Sequence, residues 1–144
     1  MTPTAHHTGL TVADLDASVE FYTTTLDCTV ETDFTVSGEA LATVLDTDDV
    51  TGRFVHLRSG ATRIELVEYD SDRRQQPNGE SQANSSLTDP GTVHLAFAVE
   101  DVDSFVEAHS DSLDALSEPR TTESGTRLVF VRDPEGRFIE LLEV

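Results

Sequence analysis

The chain repeats itself, and that repetition constrains its fold more than any local propensity. His7-Thr8-Gly9-Leu10-Thr11-Val12-Ala13-Asp14-Leu15-Asp16 aligns without a gap on His94-Leu95-Ala96-Phe97-Ala98-Val99-Glu100-Asp101-Val102-Asp103, at a constant offset of 87 residues. Further on, Arg53-Phe54-Val55-His56-Leu57-Arg58 matches Arg127-Leu128-Val129-Phe130-Val131-Arg132. One extra residue in the turn Asp133-Pro134-Glu135-Gly136 then carries the match to the closing strands, Ile64-Glu65-Leu66 and Ile139-Glu140-Leu141. Two copies of one sequence pattern must form two copies of one supersecondary unit, so repeats are settled before any other fold argument.

Within the first copy the pattern reads strand, helix, strand, short helical insert, strand, strand. Thr8 to Val12 is a short strand ended by the cap signal Asp14, after which Leu15, Val19, Tyr22 and Leu26 recur at helical spacing. Thr29 to Val36 is a β-rich run, and Ser37-Gly38 introduces a short helix over 39–46 through Leu41, Val44 and Leu45. Residues 53–58 and 63–69 are strands joined by a hairpin turn at Ser59-Gly60. The second copy repeats strand, helix and three strands, its helix keeping Val106 in register with Val19. The expected fold is therefore α+β, two tandem βαβββ modules over 1–70 and 92–144, each a half-barrel, paired in a single domain. A polar stretch over 71–91, rich in Asn, Ser, Gly and Pro, joins them as a connector or a lid.

Each copy opens on a histidine and closes on a strand with a glutamate at its centre. Period-two alternation sets Ile139 and Leu141 against Glu140, and Ile64 and Leu66 against Glu65. It also puts His7, Gly9 and Thr11 on one face of the first strand, and His94, Ala96 and Ala98 on one face of its counterpart, so small side chains flank each histidine. Neutral imidazole with carboxylate is a borderline donor set suited to nickel, zinc, cobalt, manganese or iron. A half-barrel whose first and last strands adjoin brings His7 beside Glu65 and His94 beside Glu140, and two such pairs supply the ligands of one divalent ion. His6 falls on the opposite face from His7 and is the alternative ligand there. His56 shares a strand with Arg58, as a surface residue or a pocket residue, and His109 reads as a solvated helix position. Arg53, Arg58, Arg63, Arg127, Arg132 and Arg137 are placed to pair with acidic surface groups, or one of them with a substrate carboxylate.

The charge balance limits partners. Twenty-eight Asp and Glu face nine basic residues, all Arg, for a net charge of −19, which repels nucleic acid and anionic membranes. Acidic enrichment without a single lysine matches the solvation strategy of proteins in a high-salt cytoplasm. No apolar run reaches the length of a membrane span and no signal-peptide pattern opens the sequence, so a cytoplasmic protein is expected. One cysteine, Cys28, excludes an internal disulfide and reads as a small buried apolar residue.

The motif His7-Thr8-Gly9-Leu10-Thr11-Val12, the Phe21-Tyr22 pair, His94-Leu95-Ala96-Phe97-Ala98-Val99 and Asp133-Pro134-Glu135-Gly136-Arg137-Phe138-Ile139-Glu140-Leu141 resemble the vicinal oxygen chelate superfamily. That superfamily includes glyoxalase I, methylmalonyl-CoA epimerase, extradiol dioxygenases and antibiotic-resistance proteins. The resemblance implies one divalent metal held by His7, Glu65, His94 and Glu140, and a homodimer acting on a small molecule. The full His, Glu, His, Glu set is similar to the glyoxalase and epimerase branches, since extradiol dioxygenases use three protein ligands and sequestering members lack the set. Thr11 stands where glutathione-using glyoxalases carry Arg, and Tyr69 where they carry Asn, so glutathione itself is not implied. Asp27 replaces the glycine usual after the first helix. The resemblance further implies a lyase or isomerase that removes a proton next to a carbonyl while the metal binds the oxygen that becomes negative, on a methylglyoxal–thiol adduct or a similar carbonyl compound. Glu140 is the first candidate for the base, with Glu65 its pseudo-symmetric alternative. A non-catalytic drug-sequestering protein and an extradiol-type dioxygenase are the competing readings.

Overall fold

The computed structural model describes residues 1–70 and 86–144, and the chain divides into two compact units, Met1–Gly79 and Glu80–Val144. The stretch expected to act as connector or lid falls largely outside the described residues.

The first unit is a four-stranded sheet in the order β1-β4-β3-β2, formed by β1 (Thr8–Thr11), β2 (Thr29–Ser37), β3 (Thr51–Ser59) and β4 (Thr62–Asp70). First and last strands of the repeat lie side by side and parallel, with Gly9 opposite Glu65 and Leu10 opposite Leu66. The hairpin between β3 and β4 closes through a two-residue loop, Ser59 facing Thr62, with Gly60 at φ 55°, a conformation that costs glycine little. Leu57, Ile64 and Leu66 are fully buried on the face turned to the helix, and the intervening Glu65 is on the other.

Helix α1 (Leu15–Glu20) starts where sequence places it, the Asp14 carboxylate accepting the Ala17 N–H at 3.0 Å. Its continuation is not regular. Phe21–Thr25 forms a π-helical turn, which brings Phe21, Tyr22, Thr25 and Leu26 all inward; of the expected stripe, Leu15, Tyr22 and Leu26 are buried and Val19 is half-buried. Asp27 follows at φ 54°, the left-handed conformation for which glycine is usual, and the turn is made in spite of its Cβ. Helix α2 (Glu39–Val44) lies in the expected insert, but it buries Ala42 while Val44 and Leu45 remain exposed.

The second unit repeats the plan with β5 (His94–Val99), α3 (Val102–Ala108), β8 (Arg127–Arg132) and β9 (Phe138–Glu143), again with the first and last strands parallel. Here one expectation is corrected. The second strand of the copy is split into β6 (Asp114–Ala115) and β7 (Arg120–Thr121), both antiparallel to β8. Asp114 faces Arg132 and Arg120 faces Leu128, so the register slips by two residues between them. Pro119 lies in that slip and cannot donate to the ladder. Val102 of α3 and Val129, Val131, Ile139 and Leu141 of β8 and β9 are the buried core of this unit.

One network is repeated in both units. In the first, Glu68 Oε2 accepts the Leu15 N–H at 2.9 Å and Arg53 binds Asp16 at 2.8 Å. In the second, Glu143 Oε1 accepts the Val102 N–H at 3.1 Å and Arg127 binds Asp103. A glutamate three residues beyond Glu65 or Glu140 thus satisfies a free N–H at the start of the helix, where negative charge is favoured.

Candidate functional site

Strand alternation and the parallel β1–β4 pairing put His7 and Glu65 on one face, with His7 Nε2 3.5 Å from Glu65 Oε1. The equivalent pairing of β5 with β9 sets His94 Nε2 3.2 Å from Glu140 Oε2. Both glutamates are largely shielded, their side chains 16% and 19% exposed, while the histidines are more open. Two donors held by one ion at about 2.1 Å and at angles of 90–110° lie about 3.0–3.4 Å apart, so the His94–Glu140 pair at 3.2 Å is spaced as adjacent ligands of a divalent cation and the His7–Glu65 pair at 3.5 Å lies just beyond that range. The donor chemistry fits as well, imidazole Nε2 with carboxylate oxygen.

Small residues leave the space that such a pair requires. Gly9 lies directly opposite Glu65, and a Cβ there would stand 3.9 Å from Glu65 Oε1 and 4.0 Å from His7 Cδ2. Ala96 occupies the same place opposite Glu140.

The remaining histidines separate clearly. His6 does not approach Glu65: its Nδ1 is 2.8 Å from His7 Nδ1, and its Nε2 accepts a hydrogen bond from Arg63 at 2.9 Å. It therefore steadies the far side of the His7 ring and leaves His7 Nε2 turned to the glutamate. His109 is the C-cap of α3, half-buried against Phe105, with Nδ1 2.9 Å from the Phe105 carbonyl, which corrects the expectation of a solvated residue.

His56 is the residue that sequence reasoning undervalued. It sits directly opposite Glu65 in the β3–β4 ladder, its side chain 16% exposed, and its Nε2–H donates to Glu65 Oε2 at 2.7 Å. The hairpin sets the register: a two-residue loop, Gly60-Ala61, pairs Ser59 with Thr62, and counting back three residues places His56 opposite Glu65. An aromatic wall continues from it along the same face. Phe34 meets the His56 ring edge-on at 5.5 Å and stacks on Phe54 at 5.4 Å, and Tyr69 meets Phe54 edge-on at 5.9 Å. Gly52 makes room for this packing, because a Cβ there would lie 2.7 Å from Phe54. Burial first, and the charge of Glu65 second, push the Tyr69 phenol above its usual range.

Most of the described arginines serve the acidic surface. Arg58 and Arg63 both bind Glu31, at 2.7 and 2.9 Å, and hold its carboxyl below the usual carboxylate range; Arg53 does the same for Asp33 at 2.7 Å. Asp101, Asp103 and Glu143 also bring carboxylate oxygens within 4.8 Å of one another. Their oxygens are engaged by Ser104 N–H, Arg127 and Val102 N–H respectively, as parts of the repeated helix cap.

Parallel first and last strands in each repeat, with His and Glu paired across them, define a class, and the chain belongs to the Glyoxalase/Bleomycin resistance protein/Dioxygenase superfamily, whose family profile matches residues 4–141. Among individual relatives, it is 33% identical over 96% of its length to a 2-epi-5-epi-valiolone epimerase from an Actinomyces species, 78% of which is covered. Among solved structures, a glyoxalase family protein from Bacillus cereus superposes with a TM-score of 0.85 at 22% identity, over 99% of this chain and 95% of that one. The trypanothione-dependent glyoxalase I of Leishmania major superposes with a TM-score of 0.63 at 28% identity, over 99% of this chain and 87% of that one.

Proposed function

We propose that the chain is a divalent-metal-dependent isomerase of epimerase type that removes and returns a proton next to a carbonyl of a small oxygenated substrate. The observation that carries this reading is the same His–Glu pair, at 3.5 and 3.2 Å, in equivalent places of both repeats. The 33% identical relative, named as an epimerase, supports the reaction class. His7, Glu65, His94 and Glu140 would hold the ion, which is nickel, zinc, cobalt, manganese or iron by its donor set. Bound there, the ion supplies a Lewis acid that polarises the carbonyl beside the labile proton.

The proton itself needs a positioned base. Glu140 takes it onto a carboxylate oxygen, with Glu65 as the pseudo-symmetric alternative, a role that contributes about 10²- to 10⁴-fold. Return of a proton to the opposite face of the same carbon inverts that centre, as an epimerase requires. Return to the adjoining carbon moves the carbonyl, as in a glyoxalase-type lyase acting on a methylglyoxal–thiol adduct. That second reading is favoured by the likeness to the Leishmania enzyme. Thr11 and Tyr69, in place of the Arg and Asn that hold glutathione, argue for a different thiol if this reaction is the native one. The aromatic wall of Phe34, Phe54 and Tyr69 gives the substrate an apolar surface beside Glu65.

The test combines metal analysis of the purified protein with deuterium exchange at the carbon next to the carbonyl. Two probes serve, 2-epi-5-epi-valiolone and the hemithioacetals of methylglyoxal with several thiols. Stoichiometric redox-inert metal with exchange on the cyclitol is the expected result, and exchange confined to a hemithioacetal selects the lyase. Protein that carries no stoichiometric metal and catalyses no exchange is a binding protein, and ferrous iron with oxygen uptake makes it a dioxygenase.

A further inference from the structure

The duplication makes Glu65 and Glu140 equivalent in sequence, yet their surroundings differ at one strand position. His56 in the first repeat and Phe130 in the second align with each other, and each sits directly opposite its glutamate, on β3 and β8 respectively. The consequence for the two carboxylates is unlike. Glu65 has its oxygens divided between two imidazoles, Oε2 accepting from His56 Nε2 at 2.7 Å and Oε1 standing 3.5 Å from His7 Nε2. The His56 ring is itself fixed, with the edge-on Phe34 ring 5.5 Å away and the His7 ring 5.7 Å away. A charge-assisted bond this short, from a ring with little freedom to turn, holds the carboxylate in one orientation and commits one oxygen to it.

Glu140 has no such restraint from its opposite strand. The Phe130 side chain carries no donor, and its ring meets the His94 imidazole edge-on at 5.2 Å instead. Ala96, on the other side, is too small to hold the carboxylate in place. Glu140 Oε2 is 3.2 Å from His94 Nε2, and among the described residues no other side chain holds its carboxylate.

We propose that His56 is a positioning residue that clamps Glu65 by one carboxylate oxygen, making Glu65 the fixed donor of the site and leaving Glu140 as the carboxylate that moves to take the proton. The inference rests on the reading that the two His–Glu pairs bind an ion. It goes beyond that reading by resolving the symmetry between the glutamates, and it does so through a residue outside the His, Glu, His, Glu set. The part of His56 in that assignment runs through Glu65, the carboxylate it bonds.

The test exchanges the two strand positions. His56→Phe gives the first repeat the residue that the second repeat already tolerates, His56→Gln keeps a donor, and Phe130→His gives Glu140 a clamp of its own. Cobalt and zinc affinities are read by titration calorimetry, the geometry by the visible spectrum of the cobalt-loaded protein, and folding by thermal melts. His56→Phe is expected to weaken metal affinity about 10- to 100-fold, as loss of an orienting partner does, and to shift the cobalt bands. His56→Gln is expected to recover most of that loss. Phe130→His is expected to keep metal affinity while lowering kcat at least about tenfold with little change in KM, because the moving carboxylate is now tethered.

Wild-type affinity and spectrum in folded His56→Phe, or a His56→Gln variant no better than His56→Phe, would overturn the clamp. So would unchanged turnover in a Phe130→His variant that binds metal normally. Failure of the underlying reading looks different: wild-type protein would then bind no ion, or bind it equally well in His7→Ala and His94→Ala.

Discussion

Replacing Glu140 by glutamine is the most direct probe of the proposed chemistry, because it changes charge and leaves shape alone. The side chain is 19% exposed, beside Ala96 and Phe130, so an amide of the same size fits without strain. Its oxygen can still approach His94 Nε2, which lies 3.2 Å from the present carboxylate, and can still act as a neutral donor to an ion. What is lost is the ability to accept a proton. A positioned base is worth about 10²- to 10⁴-fold, which at 1.36 kcal/mol per decade is about 3–5 kcal/mol of barrier. Deuterium exchange next to the substrate carbonyl, followed by proton NMR at saturating metal, should therefore slow by at least two decades while calorimetry still detects the ion. Glu65→Gln should show the reverse order of damage, with metal affinity falling first, since its carboxylate is the one fixed between His7 and His56. Exchange by Glu140→Gln within about threefold of the wild-type rate, with metal bound, would refute the assignment of the base.

Other outcomes follow from features away from the pair. Glu143→Ala should leave metal affinity unchanged while lowering stability by about 1 kcal/mol, a melting shift of roughly 2–5 °C, because it caps α3 at Val102; a large loss of metal binding would move the site to the Asp101, Asp103 and Glu143 cluster. Arginine partners lower the Glu31, Asp33 and Asp103 pKa values, so their contribution is complete above the unfolded carboxylate range and is lost as pH falls through the folded values. Melting temperature should accordingly drop below about pH 4, and Arg53→Met should flatten that drop. With a net charge of −19, we expect melting temperature to climb steadily as potassium chloride is raised from millimolar to molar, and a flat profile would remove the case for a high-salt habitat. The Cys28 thiol is pushed up to about 11 by burial and by Asp27, so thiol reagents at pH 8 should react only as the protein unfolds.

Much of this architecture was legible in the sequence because duplication turns one weak pattern into two that must agree. The His–Glu pairs followed from alternation and from the requirement that first and last strands of a copy adjoin. His56 was not legible from the turn as the sequence suggests it, because a loop at Ser59-Gly60 pairs His56 with Arg63; the loop is Gly60-Ala61, and only that one-residue shift sets His56 opposite Glu65, nine residues on. The π-helical turn at Phe21–Thr25 was not legible, since it is a packing solution that buries adjacent Phe21 and Tyr22 together and overrides helical period. The split of the second copy's outer strand carried a sign in Pro119, but the two-residue slip depends on how both fragments satisfy β8.

That split also bears on how the molecule keeps to itself at high concentration. An outer strand presents a row of backbone donors and acceptors that any other extended chain can read. In the first sheet that row is β2, nine residues long and exposed throughout, with Val30, Phe34 and Val36 on it, which is a template for unwanted pairing. It is interrupted by a register irregularity at Glu31, and it carries Glu31 and Asp33 locked to arginines of the same sheet. In the second sheet the corresponding strand is instead cut in two around a residue that cannot donate. Two repeats of common design thus guard the same vulnerable edge by unrelated means, charge with a bulge in one and interruption in the other, and neither safeguard draws on the two His–Glu pairs.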